Sequence, residues 1–230
     1  MRRLILPGAL GLAAFCLFIA LGVWQLHRLK WKQGIIAEIR TAQAAPPVPL
    51  PAHPSPFQKV FVSGEWVPGK AALYGQIVHD GPRGPITGGE LIMPLRREDG
   101  QILLVDLGWV PESAPRPLAN PPPRPVGYIH AAIGRGFFSP ADDPAHQLYY
   151  TLDPEAIGHG LGLANVAPYM LIAMGPAPPP GSDLPQPAQD LPTPPNNHYE
   201  YALTWFGFAG VLVFEFIFLA RKRLLTHARL

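Results

Sequence analysis

In NNHYEYALTWFGFAG, from Asn196 to Gly210, a proline-rich segment gives way to an apolar run. One histidine there stands in a position to do chemistry. His198, Ala202, Trp205 and Ala209 recur at i, i+4, i+7 and i+11, the spacing of a single helix face. An imidazole is a ready metal ligand. Trp205 shares its face, and the small residues between and beyond leave room for a flat ligand to lie along it. The same spacing has a second reading: close packing of two helices, with His198 as a polar tip at a membrane edge.

Other reactive groups are dispersed. His53, His79, His130, His146 and His159 are scattered, and none stands at i, i+4 from another histidine or a cysteine. No G-x-S-x-G, H-E-x-x-H or P-loop pattern occurs, and GHGLG (158–162) lacks the spacing of a dinucleotide loop. Glu98-Asp99 and Asp142-Asp143 sit in turn contexts and read as solvated loop charge. The single cysteine, Cys16, excludes an intramolecular disulfide, a cysteine-based metal site and a C-x-x-C-H site for covalent heme attachment.

The elements that would position His198 follow from hydropathy. Charged residues make up 15% of the 230, against roughly 25% in soluble domains. Leu4–Leu26 is a run of 23 residues without charge, and Tyr201–Ala220 is a run of 20 with one, Glu215. Each is long enough to cross a bilayer. A cleaved signal peptide is the competing reading of the first run, but its apolar stretch is longer than such peptides carry. Trp24 and Trp31 on the first, with Tyr199, Tyr201 and Trp205 on the second, fit an aromatic belt. Ala9, Ala13, Cys16 and Ala20 form a small-residue stripe on one helix face, where another helix can approach closely. Glu215 has three readings: paired with Lys222, protonated, or paired with a partner's cation.

Arg221, Lys222, Arg223 and Arg229 follow the second run, so both termini are expected in the cytoplasm and residues 33–196 outside it. Arg28, Lys30 and Lys32 argue more weakly the other way. Residues 33–196 carry nine basic and fourteen acidic groups, a net of −5; the two ends carry nine and two, a net of +7. The basic balance therefore belongs to the membrane flanks, and nucleic acid is excluded as a partner.

The expected fold is two transmembrane helices, N- and C-terminal, flanking a small, mainly antiparallel β (α+β) extracytoplasmic domain. Its boundaries are 1–32, 33–196 and 197–230. Of 31 prolines, 22 fall in residues 44–56, 111–125 and 176–195, which read as extended linkers without regular pairing. Between them seven strands are predicted: 59–66, 71–78, 89–95, 100–110, 126–134, 147–152 and 166–173. Residues 153–161 start a short helix, with Asp153 as cap and Pro154 in its first turn. Residues 33–45 extend the first span as a stem. Trp66 and Trp109 are expected in the β core.

LGVWQLHRLKWK (21–32), SGEW (63–66), GQILLVDLGWVP (100–111) and NNHYEYALTWFGFA (196–209), in this order between two spans, resemble the Surfeit locus protein 1 family. The resemblance covers nearly the whole chain, and its last motif is the most specific. It implies an assembly factor for heme-copper (cytochrome c) oxidase, a chaperone and not an enzyme, that binds heme a non-covalently and transiently and helps install it in the catalytic subunit. By resemblance His198 is the heme-iron ligand, and Trp205 is the family tryptophan one face-repeat below. Trp24, Gln25 and Arg28 match the end of the first span, and Gly108-Trp109 match the central pair.

Implied partners are the oxidase catalytic subunit, heme a synthase and membrane lipid. The implied location is a bacterial inner membrane with a periplasmic domain, since no Arg/Ser-rich presequence precedes the first span. Two positions depart from the family. Asp106-Leu107 replaces Asn-Arg, so an arginine role does not carry over, and Tyr199 replaces leucine beside the histidine. His27 is a further candidate ligand. Two other functions stay open: a scaffold that holds the immature subunit without heme, and a membrane-tethered hydrolase.

Overall fold

The computed structural model describes residues 2–81, 84–179 and 185–227. Arg229 and the centre of the third proline stretch lie outside them. The chain forms two units, one of residues 1–38 with 193–230, the other of residues 39–192.

The first unit holds two long helices. α1 spans Arg2–Ala44 and α3 spans His198–His227. Both are long and apolar enough to cross a membrane. At about 1.5 Å per residue α1 is roughly 65 Å long, twice what a hydrocarbon core needs, as the predicted stem requires.

The second unit is one mixed sheet. Its elements are β1 (Val48–Pro49), β2 (Lys59–Phe61), β3 (Glu65–Trp66), β4 (Ala72–Gly81), β5 (Gly84–Arg96), β6 (Ile102–Pro111), β7 (Val126–Ala131), β8 (Leu148–Tyr149), α2 (Pro154–Gly160) and β9 (Val166–Ala173). The strand order is β1-β2-β7-β9-β6-β5-β4-β8, with β3 paired to β5. Five pairings are antiparallel. β1–β2, β4–β8 and the central β6–β9 are parallel, so the sheet is mainly antiparallel as expected but mixed, with a parallel pairing at its centre. Strand β6 shows why. It is buried on both faces, as parallel strands usually are, and so reads as a continuous apolar run.

Alternation along β6 feeds two cores. Leu103, Val105 and Leu107 join Val60, Leu91, Met93, Leu95 and Leu171 on one face. Ile102 and Leu104 join Ile92, Met170, Tyr149 and Ile157 of α2 on the other. α2 starts as expected: Asp153 Oδ1 accepts from the N–H groups of Glu155 (3.0 Å) and Ala156 (3.2 Å).

Three expectations change. The predicted strand 59–66 is split, because β2 pairs with β7 while Trp66 pairs with Leu95 of β5. Alternation reports which face a residue takes, not which strand lies beside it. The strand predicted over 147–152 ends at Tyr149. Beyond it Asp142 takes the Tyr150 N–H at 2.7 Å, so that acid is a structural anchor, not solvated charge. The first proline stretch contributes β1, an edge strand, where proline is tolerated.

Gln43, in the last turn of α1, ties the ends of this unit together. Its Oε1 accepts from Leu191 N–H at 2.9 Å, its Nε2 donates to Asp190 at 3.1 Å, and its carbonyl accepts from Lys59 Nζ at 2.6 Å.

Candidate functional site

Helices α1 and α3 meet through glycine and rings. A methyl group added at Gly22 would overlap Phe206, and one at Gly11 would overlap Phe216. The two glycines are three helical turns apart on one face, and each receives a ring that would have to shift for any larger residue. Phe18, between them, stacks on Trp205 with centroids 5.9 Å apart and meets Phe208 at 5.7 Å. Ala202 and Ala209 are buried. The small-residue stripe is not the face that meets α3. Ala9, Ala13, Cys16 and Ala20 are all exposed, because a side chain of zero length accepts an aromatic knob better than a methyl does.

At the start of α3, His198 Nδ1 lies 2.7 Å from Gln25 Oε1. An amide oxygen carries no proton, so the ring nitrogen donates. A neutral imidazole has one N–H, so Nε2 keeps its lone pair. Among the described residues no hydrogen-bond partner meets that nitrogen. Gln25 is buried and His198 half-buried. Two residues before the histidine, Asn196 Oδ1 is buried without a partner. Donation through one ring nitrogen with a bare second nitrogen is the arrangement of most metal-ligating histidines. The donor set therefore fits an iron-centred group.

The proposed face is thus divided. Ala202 and Ala209 are buried, while His198 and Trp205 lie half-buried at its rim. His27 is exposed and two residues on from Gln25, hence on the opposite side of α1; the fold does not bring it to His198. Glu215 is exposed. His79 stacks on Trp109, and His146 pairs with Asp143 at 2.6 Å. Among the described residues no three His, Cys, Asp or Glu converge as a metal cluster.

The central Gly-Trp pair proves architectural. Register slips by one residue between Glu90↔Trp109 and Ile92↔Asp106, a bulge in β6. Gly108 takes φ +107° there, and a side chain would strike the Gln186 carbonyl. The Gly108 N–H, left without a ladder partner, donates to Asp106 Oδ1 at 2.9 Å. Trp109 then exchanges backbone hydrogen bonds with Gln186.

Sequence reasoning missed two groups. Gln25 is the one amide in the 23-residue apolar run, and that singularity was the available signal. Glu90 and Asp106 share the face of the sheet that carries Tyr74 and Tyr128. Burial raises Glu90 to about 7. Burial, with the Glu90 charge, holds Asp106 well above the carboxylate range, against the lowering by the Gly108 N–H. Burial and the two acids also raise Tyr128 to about 12. The signal was a lone acid within the apolar strand 102–110.

Two long apolar helices joined by a Gln–His pair, with a mixed-sheet unit between them in sequence, define the class. The SURF1 family model matches residues 12–210. A SURF1-like protein of Rickettsia bellii is 28% identical over 88% of this chain and 86% of its own length. Surfeit locus protein 1 of Rattus norvegicus is 30% identical over 84% of this chain and 70% of its own. The cytochrome oxidase assembly protein SHY1 of Saccharomyces cerevisiae is 31% identical over 42% of this chain and 26% of its own length. The chain belongs to the SURF1 family.

Proposed function

We propose that this chain is an assembly factor for a cytochrome c-type heme-copper oxidase and that His198 holds heme a by its Nε2. Family membership and the oxidase-assembly name of the yeast relative support the oxidase. The observation that carries the heme reading is the Gln25–His198 hydrogen bond, which leaves a bare imidazole nitrogen at the start of an apolar helix. Heme a, when bound, supplies an iron that takes an axial imidazole. His198 provides that nitrogen, and Trp205 and Phe18 provide aromatic surface about two turns along. Reversible ligation suits delivery to the oxidase catalytic subunit, with heme a synthase as the source. The location proposed is a bacterial inner membrane, with the sheet unit periplasmic and both termini cytoplasmic.

Protein purified in detergent from cells that make heme a tests this. His198→Ala is expected to lower the heme-to-protein ratio by more than about tenfold, the effect of losing even an outer partner of a ligand, at unchanged yield. An unchanged ratio and Soret band would remove His198 as ligand. The location has its own test: a reporter active only in the cytoplasm should be silent when fused at Pro185, and activity there would reverse the topology.

A second reading is a scaffold for the immature subunit without heme. The exposed small-residue stripe Ala9, Ala13, Cys16 and Ala20 favours it, because it leaves a surface that a partner helix can approach closely.

A further inference from the structure

We infer that Gln25 is a positioning residue that locks His198 in the Nδ1–H tautomer and so presents Nε2 as the ligand nitrogen. The ligand part of this rests on the heme reading above; the tautomer part does not.

A free imidazole chooses between two tautomers and turns about two side-chain bonds. His198 is the first residue of α3, where no preceding helical turn confines its ring. What confines it is Gln25. The amide oxygen stands 2.7 Å from Nδ1, a short N–H···O bond. It accepts and cannot donate, so it selects one tautomer. Gln25 is 8% exposed, so water competes poorly for the same oxygen.

The helices hold the two residues together. Gln25 lies one turn beyond Gly22, on the face that receives Phe206. His198 lies one turn before Ala202, which is 1% exposed. The packing of Phe206 on Gly22 sets the two helix ends side by side, with the amide opposite the ring. The cost of burying a polar amide in an apolar helix is offset by the bond it makes. A hydrophobic residue would pack there with no such cost, which implies that the hydrogen bond itself is what the position supplies.

A carbonyl oxygen on the far nitrogen orients a ligating histidine and raises its basicity, and loss of such partners lowers metal affinity about 10–100-fold. Gln25 would act in that way without touching the ligand.

The test uses the whole chain in detergent with nitrogen-15 histidine, the His198 signals being assigned by their loss in His198→Ala. Without heme, the wild type should show Nδ1 protonated and Nε2 bare. Gln25→Leu, which fills the space without an acceptor, should shift His198 toward the Nε2–H tautomer. Gln25→Glu, which restores an acceptor, should bring back the wild-type pattern. With heme, Gln25→Leu should lower retention about tenfold and Gln25→Glu should rescue it, with thermal midpoints matched to show that the helix pair is intact. An Nε2–H tautomer in the wild type would overturn the inference. So would a tautomer unmoved by Gln25→Leu, or undiminished heme retention once it has moved. If the tautomer follows Gln25 while the wild type retains no heme, the positioning role stands and the heme reading falls.

Discussion

Trp109→Ala should lower the stability of the sheet unit by about 3–5 kcal/mol, the range for truncating a buried tryptophan. The ring is 5% exposed. It covers Gly88 of β5, where even a methyl would overlap it. It stacks on His79 at 4.2 Å and 12°, and its Nε1–H donates to the Ile77 carbonyl at 3.1 Å. Truncation therefore opens a cavity and also strands a half-buried carbonyl. A unit of roughly 150 residues shifts by about 2–4 °C per kcal/mol, so its thermal midpoint should fall by roughly 6–20 °C. That loss is a large part of the 5–15 kcal/mol a domain usually holds. Trp66 makes the contrast. It is half-buried, with its Nε1–H on the Pro122 carbonyl at 3.0 Å, and its alanine variant should lose distinctly less. Equal losses at the two positions, or an unmoved midpoint for Trp109→Ala, would refute the assignment of Trp109 as the clamp on β4 and β5.

The second large effect is a dependence on pH. Glu90 moves from an ordinary 4.5 to about 7 on folding, through burial. A carboxyl raised in the folded state contributes stability that is complete below its unfolded value and is lost as pH rises through its folded value. For Glu90 the loss should fall between about pH 4.5 and 7 and amount to the order of 3 kcal/mol. Asp106 acts in the same direction, since burial and the Glu90 charge raise it too. Wild type should therefore gain less on going from pH 5 to pH 8 than Glu90→Gln does, and the variant should be the more stable of the two at pH 8. Asp106→Asn keeps the oxygen that takes the Gly108 N–H while removing a charge, and should show the same trend. Denaturant midpoints at the two pH values give the answer. A wild-type-to-Glu90→Gln difference that stays constant with pH would mean that Glu90 ionises as an exposed carboxylate does.

The sequence by itself determined the two apolar helices, the stem on the first, six of the strand positions, the cap of α2 and the family. These are local matters: run length, alternation, a capping aspartate and motif order are each written in a few neighbouring residues. It also singled out His198 and Trp205, because helical spacing is a local property. Tertiary structure alone decided which strands are neighbours. The split of 59–66 into β2 and β3, and the parallel pairing of β6 with β9, depend on residues far apart in the chain.

It likewise decided the helix contact. Four small residues at helical spacing marked one face of α1, yet Gly11 and Gly22 on another face met Phe216 and Phe206, since a knob from a partner helix is invisible in the helix that receives it. Gln25 and His198 are 173 positions apart, and Glu90 and Asp106 lie on different strands of the sheet. A buried amide or acid in an apolar run announces in sequence that it needs an explanation, but its partner is supplied only by the packing, because the interaction exists only once both are brought out of water together.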